Sequence, residues 1–388
     1  MTMKSNRKIN TVKLLDVVSI GGKSVREFDN ELMYLSTGDL EESKIVNLEP
    51  VTFDSRPSRA NQLVEINDIL FAKMKDTRKT LLINENTKNI IVSTGFYVLR
   101  ASNKVLPKYI YHYLNSDYFL NQKNKLCKGA TQKAINNDGL KQIDIVLYDD
   151  KIQAKIVELL DKSKELIDKR KEQIKSLDEL VKSQFIEMFG NLKDEEKLPL
   201  EKCTTFIDYR GKTPTLSESG IRIINAKSVG NGFFKYIDEY ISEETYDSWM
   251  KRGFPVAGDV LFVTEGHTFG NVCRIPNDLK KFAMGQRVIT MQGKGGLLNN
   301  IFLAQYMQSM VFKIDIDKYK TGSSAQGIRS KELQKILIPI PNIELQNKFA
   351  DFVKQVDKLK FEMEKSLKEL EDNFSSLMQK SFSGELFN

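Results

Sequence analysis

The sequence predicts an α+β chain: two tandem α+β globular units, separated and joined by two long helices that pair as an antiparallel coiled coil with pseudo-twofold symmetry. Three observations predict it. Residues 151–189 and 342–382 contain no Gly or Pro and are dense in Lys, Glu, Leu and Ile, all compatible with helix. At about 1.5 Å per residue each would extend roughly 60 Å, far beyond the three or four turns usual in a globular domain. Both stretches carry apolar residues at spacings of three and four, the pattern of a coiled-coil seam. Finally, the chain repeats itself. Ile152-Gln153-Ala154-Lys155-Ile156 falls on Leu345-Gln346-Asn347-Lys348-Phe349, and Gly129-Ala130-Thr131-Gln132 on Gly322-Ser323-Ser324-Ala325, both at a shift of 193. Ile135, Leu140, Ile143 and Ile145 then meet Ile328, Leu333, Ile336 and Ile338. Further upstream Asp68-Ile69-Leu70-Phe71 meets Asp259-Val260-Leu261-Phe262 at 191, as small insertions in loops would produce.

The expected boundaries are a first unit at 1–148, a first long helix at 149–190, a second unit at 191–341 and a second long helix at 342–388. Residues 1–10 read as a loose polar leader. A strand-like segment follows at 12–20, closed by Gly21-Gly22, then a buried strand at 33–36 and a turn at Thr37-Gly38-Asp39. A basic loop at 55–59 precedes a turn and strand at 65–71, the cationic loop 73–79, and strands at 81–83 and 96–99. Residues 107–119 read as one Tyr-rich helix, 129–132 as a glycine-led loop, and 140–148 as the strand that delivers the chain to the first long helix. The second unit repeats the plan: an opening segment at 200–206, a turn at 210–214, strands at 221–226 and 260–264, a helix at 301–312, a loop at 320–327 and a strand at 336–340.

On the first long helix Leu160, Ile167, Ile174, Val181 and Met188 recur every seventh residue, with Ser163, Arg170, Gln173 and Gln184 leaving the seam partly polar. On the second, Phe349, Phe352, Val356, Leu359, Met363, Ser366, Leu370, Asn373 and Leu377 alternate at three and four. Leu160, Ile167, Ile174 and Val181 are therefore expected to pair with Phe352, Leu359 and Leu370.

Bulk numbers bound the chemistry. With 388 residues the chain has room for two cores. Its 59 Lys and Arg against 52 Asp and Glu give a net charge of +7, which leans toward an anionic partner. Three scattered cysteines, Cys127, Cys203 and Cys273, lack metal-ligand spacing and read as reduced thiols. No apolar run is long enough to span a membrane and the polar N-terminus is no signal peptide, so a cytoplasmic protein is expected. Only His112 and His267 occur, which argues against a His-rich metal site and a Ser-His-Asp arrangement. Gly211-Lys212-Thr213 imitates the end of a phosphate loop, but Phe206 stands where the leading glycine is needed. Neither a glycine-rich adenosylmethionine turn nor an Asn-Pro-Pro-aromatic tetrapeptide is present. The chain is expected to catalyse nothing.

These residues resemble the DNA-specificity subunit of type I restriction-modification systems, across essentially the whole chain. The signature is a Gly-Thr-Thr-Gln-like loop, an Ile-Pro-Leu-Pro-like strand end and a Glu-Gln pair opening the helix. The second copy, GSSAQGIRSKELQKILIPIPNIELQNKFA, matches it closely. The first, GATQKAINNDGLKQIDIVLYDDKIQAKIV, has the loop but Tyr148-Asp149-Asp150 in place of the prolines. Arg210-Gly211-Lys212-Thr213-Pro214 is similar to the family's Gly-Thr-Pro turn, and Gly21-Gly22-Lys23-Ser24 departs from it. The resemblance implies two target-recognition domains on a bipartite double-stranded DNA site, the helices acting as a ruler between half-sites about 34 Å apart. It also implies two methyltransferase subunits as partners, with room for restriction (translocase and nuclease) subunits. No cofactor is then bound by this chain; adenosylmethionine, ATP and Mg belong to the partners.

Loops on a rigid scaffold carry contacts, and Arg, Lys, Thr, Ser, Gln and His can bond base edges or phosphates. In the first unit the candidates are Arg56, Arg59, Lys73, Lys75, Arg78, Lys128, Thr131, Gln132 and Lys133. In the second they are Arg210, Lys212, Lys227, His267, Lys320, Ser323, Ser324 and Gln326.

Overall fold

The computed structural model describes residues 10–192, 195–209, 213–322 and 326–386. The leader 1–9 and the candidates Arg210, Lys212, Ser323 and Ser324 lie outside the described residues. The chain divides into two compact units, residues 1–172 with 364–388, and residues 173–363. Each unit thus holds a globular part and a segment of both long helices, Asp150–Phe189 and Ile343–Ser383.

In the first unit a four-stranded antiparallel sheet runs in the order Thr80–Leu82, Asp68–Ala72, Phe96–Ala101, Val18–Ile20. A five-stranded sheet lies beside it in sequence and space: Lys23–Ser24, Ala60–Leu63, Ile90–Ser93, Leu32–Leu35 and Glu49–Val51, with one parallel pair between Ile90–Ser93 and Leu32–Leu35. The strand Asp68–Ala72 is buried at all five positions, and alternation explains why. Ile69 and Phe71 face one apolar cluster with Tyr109, Tyr113 and Phe119, while Leu70 and Ala72 face another with Leu35, Val92 and Phe96. In the second unit Val260–Val263 does the same: Val260 and Phe262 join Phe302 and Phe312, and Leu261 and Val263 join Ile223 and Met284. It is central in the sheet Thr204–Asp208, Val288–Gly293, Val260–Val263, Val272–Arg274.

Several expected elements are divided. The Tyr-rich helix is two, Pro107–Leu114 and Asp117–Leu126. The break has a cause: Ser116 turns extended and its Oγ accepts from Phe119 N at 3.2 Å, an N-cap that starts a second helix. Its counterpart in the second unit is broken at the same place, Asn300–Met307 and Met310–Asp317, where Ser309 Oγ accepts from Phe312 N. The segment 12–20 is split by a 3₁₀ turn at Leu14–Asp16, and 140–148 holds only the short strand Asp144–Val146. The strands Ala60–Leu63, Ile90–Ser93, Val272–Arg274 and Val288–Gly293 and the helix Glu243–Trp249 are additional to the expected elements.

One glutamine near the start of each long helix locks it to the globular part that precedes it. Gln153 is fully buried; its Oε1 accepts from Leu106 N at 2.9 Å, and its Nε2 donates to Lys104 O at 3.0 Å and Tyr148 O at 2.8 Å. Gln346, equally buried, accepts from Asn299 N at 2.9 Å and donates to Leu297 O at 3.1 Å and Pro341 O at 2.7 Å. Every partner is displaced by the same 193 residues as the glutamines. The duplication therefore extends to individual buried hydrogen bonds.

Within each unit the two helix segments run antiparallel. In the first, Ile156 and Leu160 share a core with Met378 and Phe382, and Lys171 pairs with Glu371 at 2.7 Å. In the second, Phe185 and Phe189 stack edge-on against Phe349, and Lys360 pairs with Asp178 at 2.6 Å. Ile167 is buried, and Ile174, Val181, Phe352 and Leu370 are half-buried. Leu359 corrects the expectation: it is 47 % exposed, and its neighbour Lys360 takes the inward position, with a side chain only 25 % exposed. The packed row is Phe349, Val353, Val356 and Lys360, one residue off the row read through Phe352 and Leu359. A charged residue satisfied by Asp178 occupies the seam, which apolarity alone cannot reveal.

Candidate nucleic-acid interface

Each unit builds the same small platform from backbone bonds. In the first, Lys128 N donates to Ala134 O at 2.9 Å and Ala134 N to Lys128 O at 3.0 Å, closing a hairpin over Gly129, whose φ of 130° is one that L side chains rarely adopt. Lys75 N donates to Lys133 O at 2.9 Å and Ile135 N to Lys73 O at 3.0 Å, fastening the cationic loop to that hairpin. In the second unit Thr321 N donates to Gly327 O at 2.8 Å, Gly266 N to Gln326 O at 2.9 Å and Ile328 N to Thr264 O at 2.9 Å. The scaffold is shared, but the side chains on it differ.

The structure separates candidates that serve the fold from those that face solvent. Arg56 Nη1 donates to Ala60 O at 2.9 Å and its guanidinium lies 4.8 Å over the Phe53 ring, so it shapes its own turn. Arg78 is held by Asp117 on the neighbouring helix. Lys73 Nζ donates to Thr94 O at 2.8 Å and sits 4.4 Å over Tyr97, and burial lowers its pKa. Lys75 lies 3.9 Å from Asp76, the outer limit of an ion pair. By contrast Arg59, Lys128, Thr131, Gln132 and Lys133 are exposed, and their side chains have no bonded partner among the described residues. The hairpin therefore gathers two free cations, a hydroxyl and an amide at one edge of the platform.

In the second unit Lys227 is committed to Glu239 at 2.5 Å and Lys320 to Asp317 at 3.1 Å. His267 and Gln326 are exposed, and the bond from Gly266 N to Gln326 O brings their backbones together. Sequence reading passed over Arg287, in the turn before Val288–Gly293. Its Nε lies 3.1 Å from Glu265 Oε1, and both side chains are more than half exposed. Only the pairing of Val288 with Val263 brings it beside this loop, so no local signal announced it.

Beneath the first platform is Lys123, 1 % exposed. Its Nζ donates to Thr77 O at 2.6 Å, and to Ala72 O and Thr77 Oγ1 at 3.3 and 3.4 Å. Burial pushes the ammonium down to about 8. It braces the two ends of the cationic loop from below. The position 193 residues later is Ile316, buried and apolar.

Among the described residues no group of three or more His, Cys, Asp or Glu side chains is placed to hold a metal ion. Burial pushes the thiols of Cys203 and Cys273 up to about 11 and about 12, away from the reactive thiolate form.

A family model described as the type I restriction modification DNA specificity domain matches residues 6–177 and again 206–372. The chain belongs to the type I restriction-modification DNA-specificity family. The two matches cover most of the chain, one for each copy of the platform, so this is a sequence-specific DNA-recognition subunit. Its fold is similar to that of a chain solved in work on complex assembly and conformational transition of the type I R-M system. The two share 19 % identity and a TM-score of 0.65, over 98 % of this chain and all of that one. The type I restriction-modification S subunit from M. genitalium aligns at 15 % identity and TM-score 0.56, over 98 % of each chain. The HsdS subunit from Thermoanaerobacter tengcongensis aligns at 19 % identity and TM-score 0.46, over 99 % of this chain and all of that one. No curated protein matches the chain. No helix among the described residues of this specificity subunit is long and apolar enough to cross a membrane.

Proposed function

We propose that each unit of this specificity subunit reads one half of a bipartite double-stranded DNA target through its platform. In the first unit the contacts come from Arg59, Lys75, Lys128, Thr131, Gln132 and Lys133. In the second they come from His267 and Gln326 together with Arg210, Lys212, Ser323 and Ser324. One observation carries the reading: the backbone bonds from Lys75 to Lys133 and from Gly266 to Gln326 are equivalent, yet the side chains they present differ. A constant scaffold with changed reading groups is what two unlike half-sites require.

The long helices set the distance between the half-sites, and two methyltransferase subunits dock on the helices and units. Restriction subunits join where the system includes them. Methylation and cleavage belong to those partners, which hold adenosylmethionine, ATP and Mg, and the assembly works in the cytoplasm. The chain by itself turns over nothing.

The test is the salt dependence of DNA binding by the assembled complex. Neutralising roughly four to eight phosphates gives a slope of about −4 to −7 in log K against log salt. A slope near zero contradicts contact through these loops, and turnover of DNA that tracks the purified chain alone contradicts the division of labour.

A further inference from the structure

Arg287 adopts φ +64°, a left-handed backbone that L side chains other than Asn and Asp seldom take. A strained conformation persists where the surrounding structure enforces it, and such positions cluster at binding sites. Here the enforcement is visible. Thr264, fully buried, donates to Arg287 O from its backbone N at 2.9 Å and from Oγ1 at 3.2 Å, pinning the turn to the end of the central strand. The equivalent position in the first unit is Gly95, whose carbonyl accepts from Lys73 N at 3.0 Å in the same way. Gly95 does not take a positive φ, so the left-handed turn belongs to the second unit, which places an arginine there.

The side chain is aimed by what surrounds it. Glu265 Oε1 lies 3.1 Å from Nε. Nη1 and Nη2 have no bonded partner among the described residues, and the residue facing Nη1 is Gly266, which has no side chain to obstruct it. Glu265, Gly266 and His267 run along the loop that is bonded to Gln326. The guanidinium is therefore anchored on one edge and open on the other, within the platform assigned to DNA. A fork of two free nitrogens matches the O6 and N7 acceptors of guanine in the major groove.

We propose that Arg287 is a specificity-determining residue that reads a guanine in the second half of the target, oriented by Glu265. The proposal rests on the DNA-recognition reading of this chain. Its test uses the full-length chain expressed with its methyltransferase subunit, as wild type and as R287G, R287A and R287K. Methylated sites are sequenced, and thermal melting of each purified complex is recorded. R287G is expected to melt no lower than wild type, because glycine accepts this φ. All three variants should keep the first half of the motif and lose the requirement for one guanine in the second, a fall in discrimination on the order of 10- to 100-fold. R287K belongs with them because lysine lacks the planar fork and the Nε that Glu265 holds in place. An unchanged motif in R287G and R287K overturns the proposal. So does uniformly weaker methylation at an unchanged motif, with a salt slope shallower by about one, which marks a phosphate contact. If the wild-type motif does not depend on this chain at all, the DNA-recognition reading falls and the proposal falls with it.

Discussion

Replacing Gln153 by alanine removes three hydrogen bonds from a site with no access to water. The Leu106 N–H and the Lys104 carbonyl lose the partner that Gln153 gives them, the Tyr148 carbonyl loses one bond, and an unsatisfied buried group costs about 1–3 kcal/mol. Some of that is recovered if water enters the space vacated by the side chain. The expected loss is about 3–5 kcal/mol, at the upper end for a single substitution. Because the glutamine fastens the first turns of the long helix to the loop before Pro107–Leu114, opening should be local. Amide exchange should accelerate over residues 104–114 and 150–160 and stay unchanged over 297–307 and 343–353. Gln346→Ala should give the mirror result, with the protected and exposed segments reversed. The two glutamines share no partner, so in the double variant the losses should add to within about 0.5 kcal/mol. Exchange measured by mass spectrometry, with urea denaturation for the total, decides it. A loss under about 1 kcal/mol, or acceleration spread evenly over both units, refutes the clamp.

Lys123 gives a pH signature. Its folded pKa of about 8 lies below the usual lysine value of 10.5, so between those limits the unfolded chain binds more protons and stability rises with pH. The gain is fully present above 10.5 and is lost as pH falls through 8, about 3 kcal/mol in all. Asp76, Arg78 and Cys127 face the same site, and burial raises the Cys127 thiol. The informative quantity is therefore the difference between wild type and Lys123→Met, whose pH dependence isolates the lysine; a flat difference from pH 7 to 10.5 contradicts it. For the helices, inserting four residues between Lys175 and Ser176 adds about 6 Å and 400°, nearly restoring the apolar face. The methylated motif should keep both half-sequences with a spacer longer by one or two base pairs, and an unchanged spacer would remove the helices from the role of ruler.

The duplication was legible because it is written in residues that cannot be exchanged freely. Gly129 and Gly322 both take positive φ, and Gln153 and Gln346 each satisfy three backbone groups. The long helices were legible from length and from the absence of Gly and Pro. What escaped was decided by long-range satisfaction of polar groups. Lys360 displaced Leu359 from the seam because Asp178 answers its charge. Arg56, Arg78, Lys227 and Lys320 look identical in sequence to free surface cations, and the fold binds each to an acceptor or a ring. Lys123 lies past the expected helix 107–119 with nothing in the sequence to bury it, until Ala72 and Thr77 accept from its Nζ. Arg287 gained its place only through strand pairing with a segment more than twenty residues away.

The central claim is that each unit reads its own half-site. Exchanging residues 1–148 for the corresponding unit of a relative with a different target, and sequencing the methylated sites of cells carrying the hybrid, tests it most directly. The account predicts a motif with one half replaced and the other retained at the original spacing. A motif altered in both halves, or in neither, would contradict it.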